Sequence, residues 1–308
     1  MKSFFINIFR FSIPFIIYTL LVMYIDPYNF IQIEKNKKLS DIKSEISLPL
    51  NNRLYKLSNF SNNPTDVILL GDSRVYAINA SYFNKINAKK STNLAYGGGT
   101  LKEIIETFWY ITNNHKVKEV YIGVNFEHSN KHNDMNRVKE AIDLRNFPIK
   151  YLFSKDCFKS SFLIVKSLLS KKKINIDKPN LDKEGFWKYQ IESSADNQFR
   201  IYSYSNEYFT DLTKISNYCK LNNIKLKYFS LPVHTDIHKK IKQYNRIPEL
   251  TRFKSDMSKL GLYYDFDYPN EITKNKNLFK DPFHTNDSVT KIVVNEIVTA
   301  KIKYARTY

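Results

Sequence analysis

A short apolar run, Val67 to Leu70, stops abruptly at Gly71-Asp72-Ser73-Arg74, and helix-compatible sequence follows. A run of that length between turn residues reads as a strand buried on both faces, the kind found inside a parallel sheet. Gly71 would let the chain bend sharply as it leaves the strand. Ser73 then arrives at the carboxyl edge of the sheet, where open α/β folds keep their ligands. A serine so placed becomes a nucleophile if a base reaches it; alone, it would read as a helix N-cap.

A base stands near the far end, in Asp281-Pro282-Phe283-His284. In a helical turn, two side chains at this spacing share a face. Asp281 would then fix one tautomer of His284 and leave the other ring nitrogen to take a proton from Ser73. The competing reading makes Asp281 a turn cap and His284 a surface residue. Between these motifs, strand-like runs at 90–94, 118–124, 224–231 and 262–266 alternate with helical patterns at 101–113, 207–222, 248–260 and 287–303. Strict alternation argues an α/β domain, a largely parallel sheet with helices on both faces. A flavodoxin-like three-layer arrangement fits best.

Taken together, GDSR at 71–74 and DPFH at 281–284 resemble the first and last blocks of the SGNH (GDSL-type) hydrolase and acyltransferase superfamily. The resemblance implies the same three-layer fold and no cofactor, with Ser73, His284 and Asp281 as catalytic residues. Asn93 to Gly98 is similar to the second block, with Ala95 replacing its first glycine. Gly98 falls where the family supplies an oxyanion-hole N–H, beside the N–H of Ser73. Gly123-Val124-Asn125-Phe126 resembles the third block, in which the Asn125 amide would be the remaining oxyanion donor. Phe126 departs from the family's final aspartate there. Arg74, His128 and His234 are expected to line the pocket, because strand ends converge on it.

Two histidine pairs, His128/His132 and His234/His238, permit a different drawing: with Asp72 they would make a metal hydrolase if each pair were helical. Both pairs follow strands directly, so a metal is not the expectation. Cys157 and Cys219 form no cluster; they read as buried small hydrophobes, with a single disulfide left open.

Phe4–Ile25 is nearly all apolar, and as a helix of about 33 Å it matches a bilayer's hydrocarbon core. Lys2 and Arg10 near its start place the N-terminus in the cytoplasm and the rest outside. An uncleaved single-pass anchor over 1–27 is expected, a cleaved signal peptide being the alternative. Residues 28–64, polar and lysine-rich, read as a tether to a domain at 65–308, with room for a helix through Leu39 to Ile46. An insertion at about 135–207 interrupts that domain and reads as a lid or acceptor surface. Its Trp187, with Phe186 and Tyr189, would either stack on a sugar or pack in the core.

The formal charge of +18 comes from dispersed lysines, apart from Lys171-Lys172-Lys173, with no arginine-rich stripe, so nucleic acid is not indicated as a partner. The expected function is a membrane-anchored serine esterase or O-acyltransferase acting on acyl esters of cell-envelope glycans. Its acyl donor could come through a membrane acyl-transfer partner protein. A catalytically silent member of the fold that binds glycan or another protein is the alternative from a different class.

Overall fold

The structure is a computed structural model that describes residues 2–31, 36–170 and 182–308. The chain divides into two units, Met1–Asn63 with Val138–Lys178, and Pro64–Arg137 with Pro179–Tyr308.

The second unit is built on one sheet. Strands β1 (Val67–Leu70), β2 (Ser91–Asn93), β3 (Glu119–Gly123), β4 (Lys225–Ser230) and β5 (Tyr263–Asp265) are parallel, in the order β2-β1-β3-β4-β5. A separate hairpin pairs β6 (Phe279–Asp281) with β7 (His284–Thr285), and β8 (Arg306–Thr307) closes the sheet as an antiparallel edge. This is the flavodoxin-like doubly wound order, in which the winding reverses between β1 and β3 and opens a crevice at their carboxyl ends.

Every residue of β1 and β3 is buried, as strands covered on both faces require. Val67 and Leu69 join Tyr121, Phe229, Phe83, Val293 and Ile297 in one core, where helices Ala80–Asn87 and Asp287–Thr299 pack together. The alternate residues, Ile68 and Leu70, point the other way. That face is covered by helices Leu101–Asn114 and Asn206–Leu221, with Ile104, Phe108, Leu212 and Ile215 buried. The sheet and its two helix layers are thus the α/β arrangement that the alternating pattern called for.

Gly71 serves a purpose other than the expected sharp bend. A Cβ there would lie 2.3 Å from Val75 Cγ2, so the helical turn Ser73–Tyr76 folds back onto the strand end only if position 71 carries no side chain.

The first unit is helical. Lys2–Ile25 contains the apolar stretch Phe4–Ile25, of mean hydropathy 1.9 and only 11% buried, long and apolar enough to cross a membrane. The helix expected through Leu39 to Ile46 runs over Lys37–Leu50, and a second, Asn52–Asn62, forms where only tether was expected; together they bury Ile46, Leu54, Leu57 and Phe60. Their apolar residues are spaced one turn apart among polar ones, so average composition conceals them. Ile46 meets Ile25 and Ile164 in a small core, and Ile164 comes from helix Lys155–Ser170 inside the expected insertion. The insertion is therefore shared between the units rather than forming one lid. Lys171-Lys172-Lys173 lies outside the described residues. Cys157 and Cys219 are both buried free thiols, each pushed up to about 12 by burial, so the disulfide is not formed.

Gly71→Ala should lower unfolding stability by about 1–3 kcal/mol through overpacking. Combined with Val75→Ala, the loss should fall short of the sum of the two single losses. Urea denaturation of the three variants measures both.

Candidate active site

Ser73 follows β1 as the first residue of its helical turn, and Asp72 is the N-cap, accepting from the Arg74 N–H at 3.0 Å. Ser73 Oγ lies 2.7 Å from His284 Nε2. On the far side of the ring, Nδ1 lies 2.9 and 2.8 Å from the two Asp281 carboxylate oxygens. A carboxylate only accepts, so Nδ1 carries the proton and Nε2 offers its lone pair to the Ser73 hydroxyl.

The means by which Asp281 meets His284 differs from the helical turn expected. The two residues are cross-strand partners flanking a tight β6–β7 turn at Pro282-Phe283. Asp281 Oδ1 also accepts the Phe283 and His284 N–H groups at 2.9 and 3.2 Å, so the carboxylate shapes the turn that presents the imidazole. The hairpin is held from behind by the His234 N–H, which donates to Pro282 O at 2.8 Å.

Beneath Ser73 is a buried charge cluster. Arg74 donates to Asp72 through Nε at 2.9 Å and Nη2 at 2.5 Å, and pairs through Nη1 with Glu127. His128 Nδ1 accepts the Asn125 N–H at 3.0 Å, leaving Nε2 to face Asp72 at 3.3 Å. Burial alone would raise the Asp72 carboxyl, but Arg74 and the hydrogen bonds around it outweigh burial and hold it well below its ordinary range. Burial would likewise lower Arg74, and Asp72 with Glu127 reverse that.

Asn125 does not take the expected donor role. It is fully buried, its Nδ2 donating to Leu231 O at 2.6 Å and its Oδ1 accepting the Leu231 N–H at 3.2 Å. The amide thus ties the chain leaving β3 to the chain leaving β4. Gly98 does reach the site. It has φ +57°, and its carbonyl accepts from Arg137 Nη2 at 2.5 Å, while Arg137 Nε is held by Glu103 at 2.9 Å. Among the described residues, neither the Ser73 N–H nor the Gly98 N–H has a hydrogen-bond partner.

A cavity of about 530 Å³ opens over these groups, lined by Ser73, His284, Gly98, Arg74 and His128 among others. His234 is not part of its lining. Its ring packs against Trp187 and Phe279, and burial lowers its pKa over the opposite pull of Asp236. Trp187 sits in a core with Ile272, Phe279 and Val289 and donates to Asp236 at 3.1 Å, so it is no sugar platform. The histidine pairs do not converge: His128 faces Asp72 and His238 pairs with Asp267 at 2.8 Å. Among the described residues no metal-holding group of acidic, His or Cys side chains forms.

The cavity's opposite wall comes from residues that motif matching missed. Gln190, Ser194, Asn197, Gln198 and Ile201 line it, beside Asn130, His132 and Asn133. Their spacing of i, i+4, i+7, i+8 is a polar helical stripe, a readable signal. The helix that carries it widens into a π turn over Gln190–Ala195, a feature frequent at functional sites.

No family model matches the sequence, and no curated protein matches it. Solved structures do. A candidate acylhydrolase from Bacteroides fragilis is 15% identical, with a TM-score of 0.44 over 82% of this chain and 95% of that one. A GDSL-like lipase from Bacteroides thetaiotaomicron is 10% identical, with a TM-score of 0.44 over 81% and 98%. A catalytic mutant of an acetylxylan esterase from Geobacillus stearothermophilus is 10% identical, with a TM-score of 0.40 over 80% and 98%. Likeness at this level carries no function with it; chemistry has to come from the side chains.

Asn125→Ala should destabilise the fold by about 1–3 kcal/mol, because Leu231 loses both partners. It should leave the reactivity of Ser73 within a few-fold, where loss of a true oxyanion donor costs about 10²–10³-fold. Thermal melting and the rate of fluorophosphonate labelling separate the two. Arg74→Met should cost about 3–5 kcal/mol, since two buried carboxylates lose their cation. Because the folded-state Asp72 is depressed, its contribution is complete above the ordinary carboxylate range near pH 4 and fades as pH falls below it. The stability gap between wild type and Arg74→Met should therefore narrow on acidification, as denaturant titrations at stepped pH would report.

Proposed function

We propose that this chain is an SGNH-type serine ester enzyme, an esterase or O-acyltransferase, anchored in a membrane and acting on acyl esters of cell-envelope glycans. The observation that carries the reading is the 2.7 Å contact between Ser73 Oγ and an imidazole whose other nitrogen is held by Asp281. Ser73 attacks the ester carbonyl while His284 Nε2 takes the hydroxyl proton, and Asp281 stabilises the imidazolium that forms. The Ser73 and Gly98 N–H groups receive the oxyanion. Collapse of the tetrahedral species expels the alcohol, which leaves with the proton from His284. The acyl-serine then passes to water, giving hydrolysis, or to a sugar hydroxyl, giving transfer, with His284 as base again.

The polar wall supports a hydroxyl-rich substrate. Amides and hydroxyls from Gln190, Ser194, Gln198 and Asn133 suit polyols, whereas a long acyl chain laid against them would leave those polar groups without partners. The helix Lys2–Ile25, with Lys2 and Arg10 towards its start, supports an anchor whose remaining chain lies outside the cytoplasm. A second reading, a catalytically silent glycan-binding protein of the same fold, is favoured by one observation: Asn125 is committed to Leu231 and leaves two oxyanion donors.

Fluorophosphonate should label wild type at Ser73 and not label Ser73→Ala. His284→Ala should slow labelling by about 10²–10⁴-fold. Wild type that resists the probe under conditions where it is folded would support the silent reading. Activity that survives Ser73→Ala and is lost with chelator would point to a metal hydrolase instead.

A further inference from the structure

Helix Lys155–Ser170 buries one stripe, Cys157, Ser160, Ser161 and Ile164, and packs against Lys37–Leu50. Its exposed side interleaves large apolar residues with lysines. Phe158 and Phe162, one turn apart, are 59% and 61% exposed, and Leu169 extends the stripe. The preceding helix Pro148–Leu152 leaves Ile149 75% exposed, with Phe147 and Phe153 exposed on either side. Large apolar side chains left contiguous in this way mark a contact surface.

What covers the patch follows from its continuity with the apolar helix. The Tyr18 ring lies 6.0 Å from that of Phe153 and 5.9 Å from that of Phe158, and its hydroxyl donates to Leu152 O at 2.7 Å. The aromatic patch therefore begins on the surface of Lys2–Ile25 itself. Tyr18 precedes the end of that helix, Ile25, by about two turns, or about 10 Å along the axis. An interfacial helix sinks its apolar face about 5–10 Å into the headgroup and acyl boundary, which matches. Lys155, Lys159 and Lys166 are exposed on the longer of these helices, available to anionic headgroups, while Lys150 pairs with Asp143 at 2.9 Å.

We propose that helices Pro148–Leu152 and Lys155–Ser170 lie in the membrane interface beside the anchor, with Phe147, Ile149, Phe153, Phe158 and Phe162 among the lipid. The first unit is then a membrane-seated platform instead of a single helix on a tether. The inference rests on Lys2–Ile25 spanning a bilayer and is independent of the chemistry at Ser73.

The test uses the full chain in vesicles of zwitterionic and anionic lipid, with Cys157 and Cys219 replaced by alanine. An environment-sensitive NBD label is placed in turn at Ile149→Cys, Phe162→Cys and, within the apolar helix, Phe11→Cys. Labels at 149 and 162 should be quenched by lipid-borne nitroxide and shielded from aqueous iodide. Quenching by iodide without quenching by nitroxide, or by neither reagent as in a protein contact, overturns the proposal. A water-exposed label at 11 as well would show that the anchor reading has failed; lipid at 11 with water at 149 and 162 rejects the interfacial platform alone. Circular dichroism of each labelled variant confirms that the fold is intact.

Discussion

The hydrogen bonds that converge on Asp281 hold the site together. One carboxylate accepts two backbone N–H groups of its own hairpin and the Nδ1 proton of His284. It thereby sets the turn, the tautomer and the direction of the imidazole in a single act. The remaining nitrogen can then meet Ser73, whose hydroxyl comes from a strand end far away in sequence. Remove the carboxylate, and the hairpin loses its turn contacts together with the partner of His284 Nδ1. Positioning and electrostatics are here the same contacts, which is how a site is preorganised without further reorganisation in the reaction.

Ser73 is fixed just as firmly from below. Asp72 and Arg74 flank it in sequence, and both are buried in ion pairs that extend to Glu127 and His128. A buried network of this kind is weak evidence for stability, because desolvation offsets most of the Coulomb gain. Its clearer consequence is that the turn carrying Ser73 has one arrangement in which its buried charges are matched. Three segments meet there, the turn after β1, the glycine turn after β2 and the 3-10 turn after β3, at the reversal of the winding.

Much of this was legible in the residues. The strand-like run at 118–124 became Glu119–Gly123, buried throughout, and that at 224–231 became Lys225–Ser230, exposed at Lys225 and buried from Tyr228 onward. The spacing of Asp281 and His284 foretold their contact but not its cause, since three residues join across a tight hairpin as well as along a helix. Asn125 fitted a motif, yet a motif does not reveal that Leu231 waits for its amide from another strand's end. Position after a strand points His234 at the pocket; in the structure it supports the hairpin instead, through its N–H to Pro282 and its ring against Phe279 of β6. The helix at 52–62 was hidden by lysine and asparagine, which dilute the turn-spaced Leu54, Leu57 and Phe60. Gln190, Ser194 and Gln198 were visible only as a polar stripe, and nothing local says which cavity a stripe will face.

His284 rests with its proton on Nδ1 and its lone pair directed at the Ser73 hydroxyl. Nitrogen NMR of ¹⁵N-histidine-labelled protein, with His284 assigned by its absence in His284→Gln, reads the tautomer directly. The expected spectrum shows a protonated Nδ1 with a low-field proton that is lost in Asp281→Asn, and an Nε2 that shifts when Ser73 is replaced by alanine. A His284 ring protonated on Nε2, or one averaging freely between tautomers and indifferent to both substitutions, would contradict it.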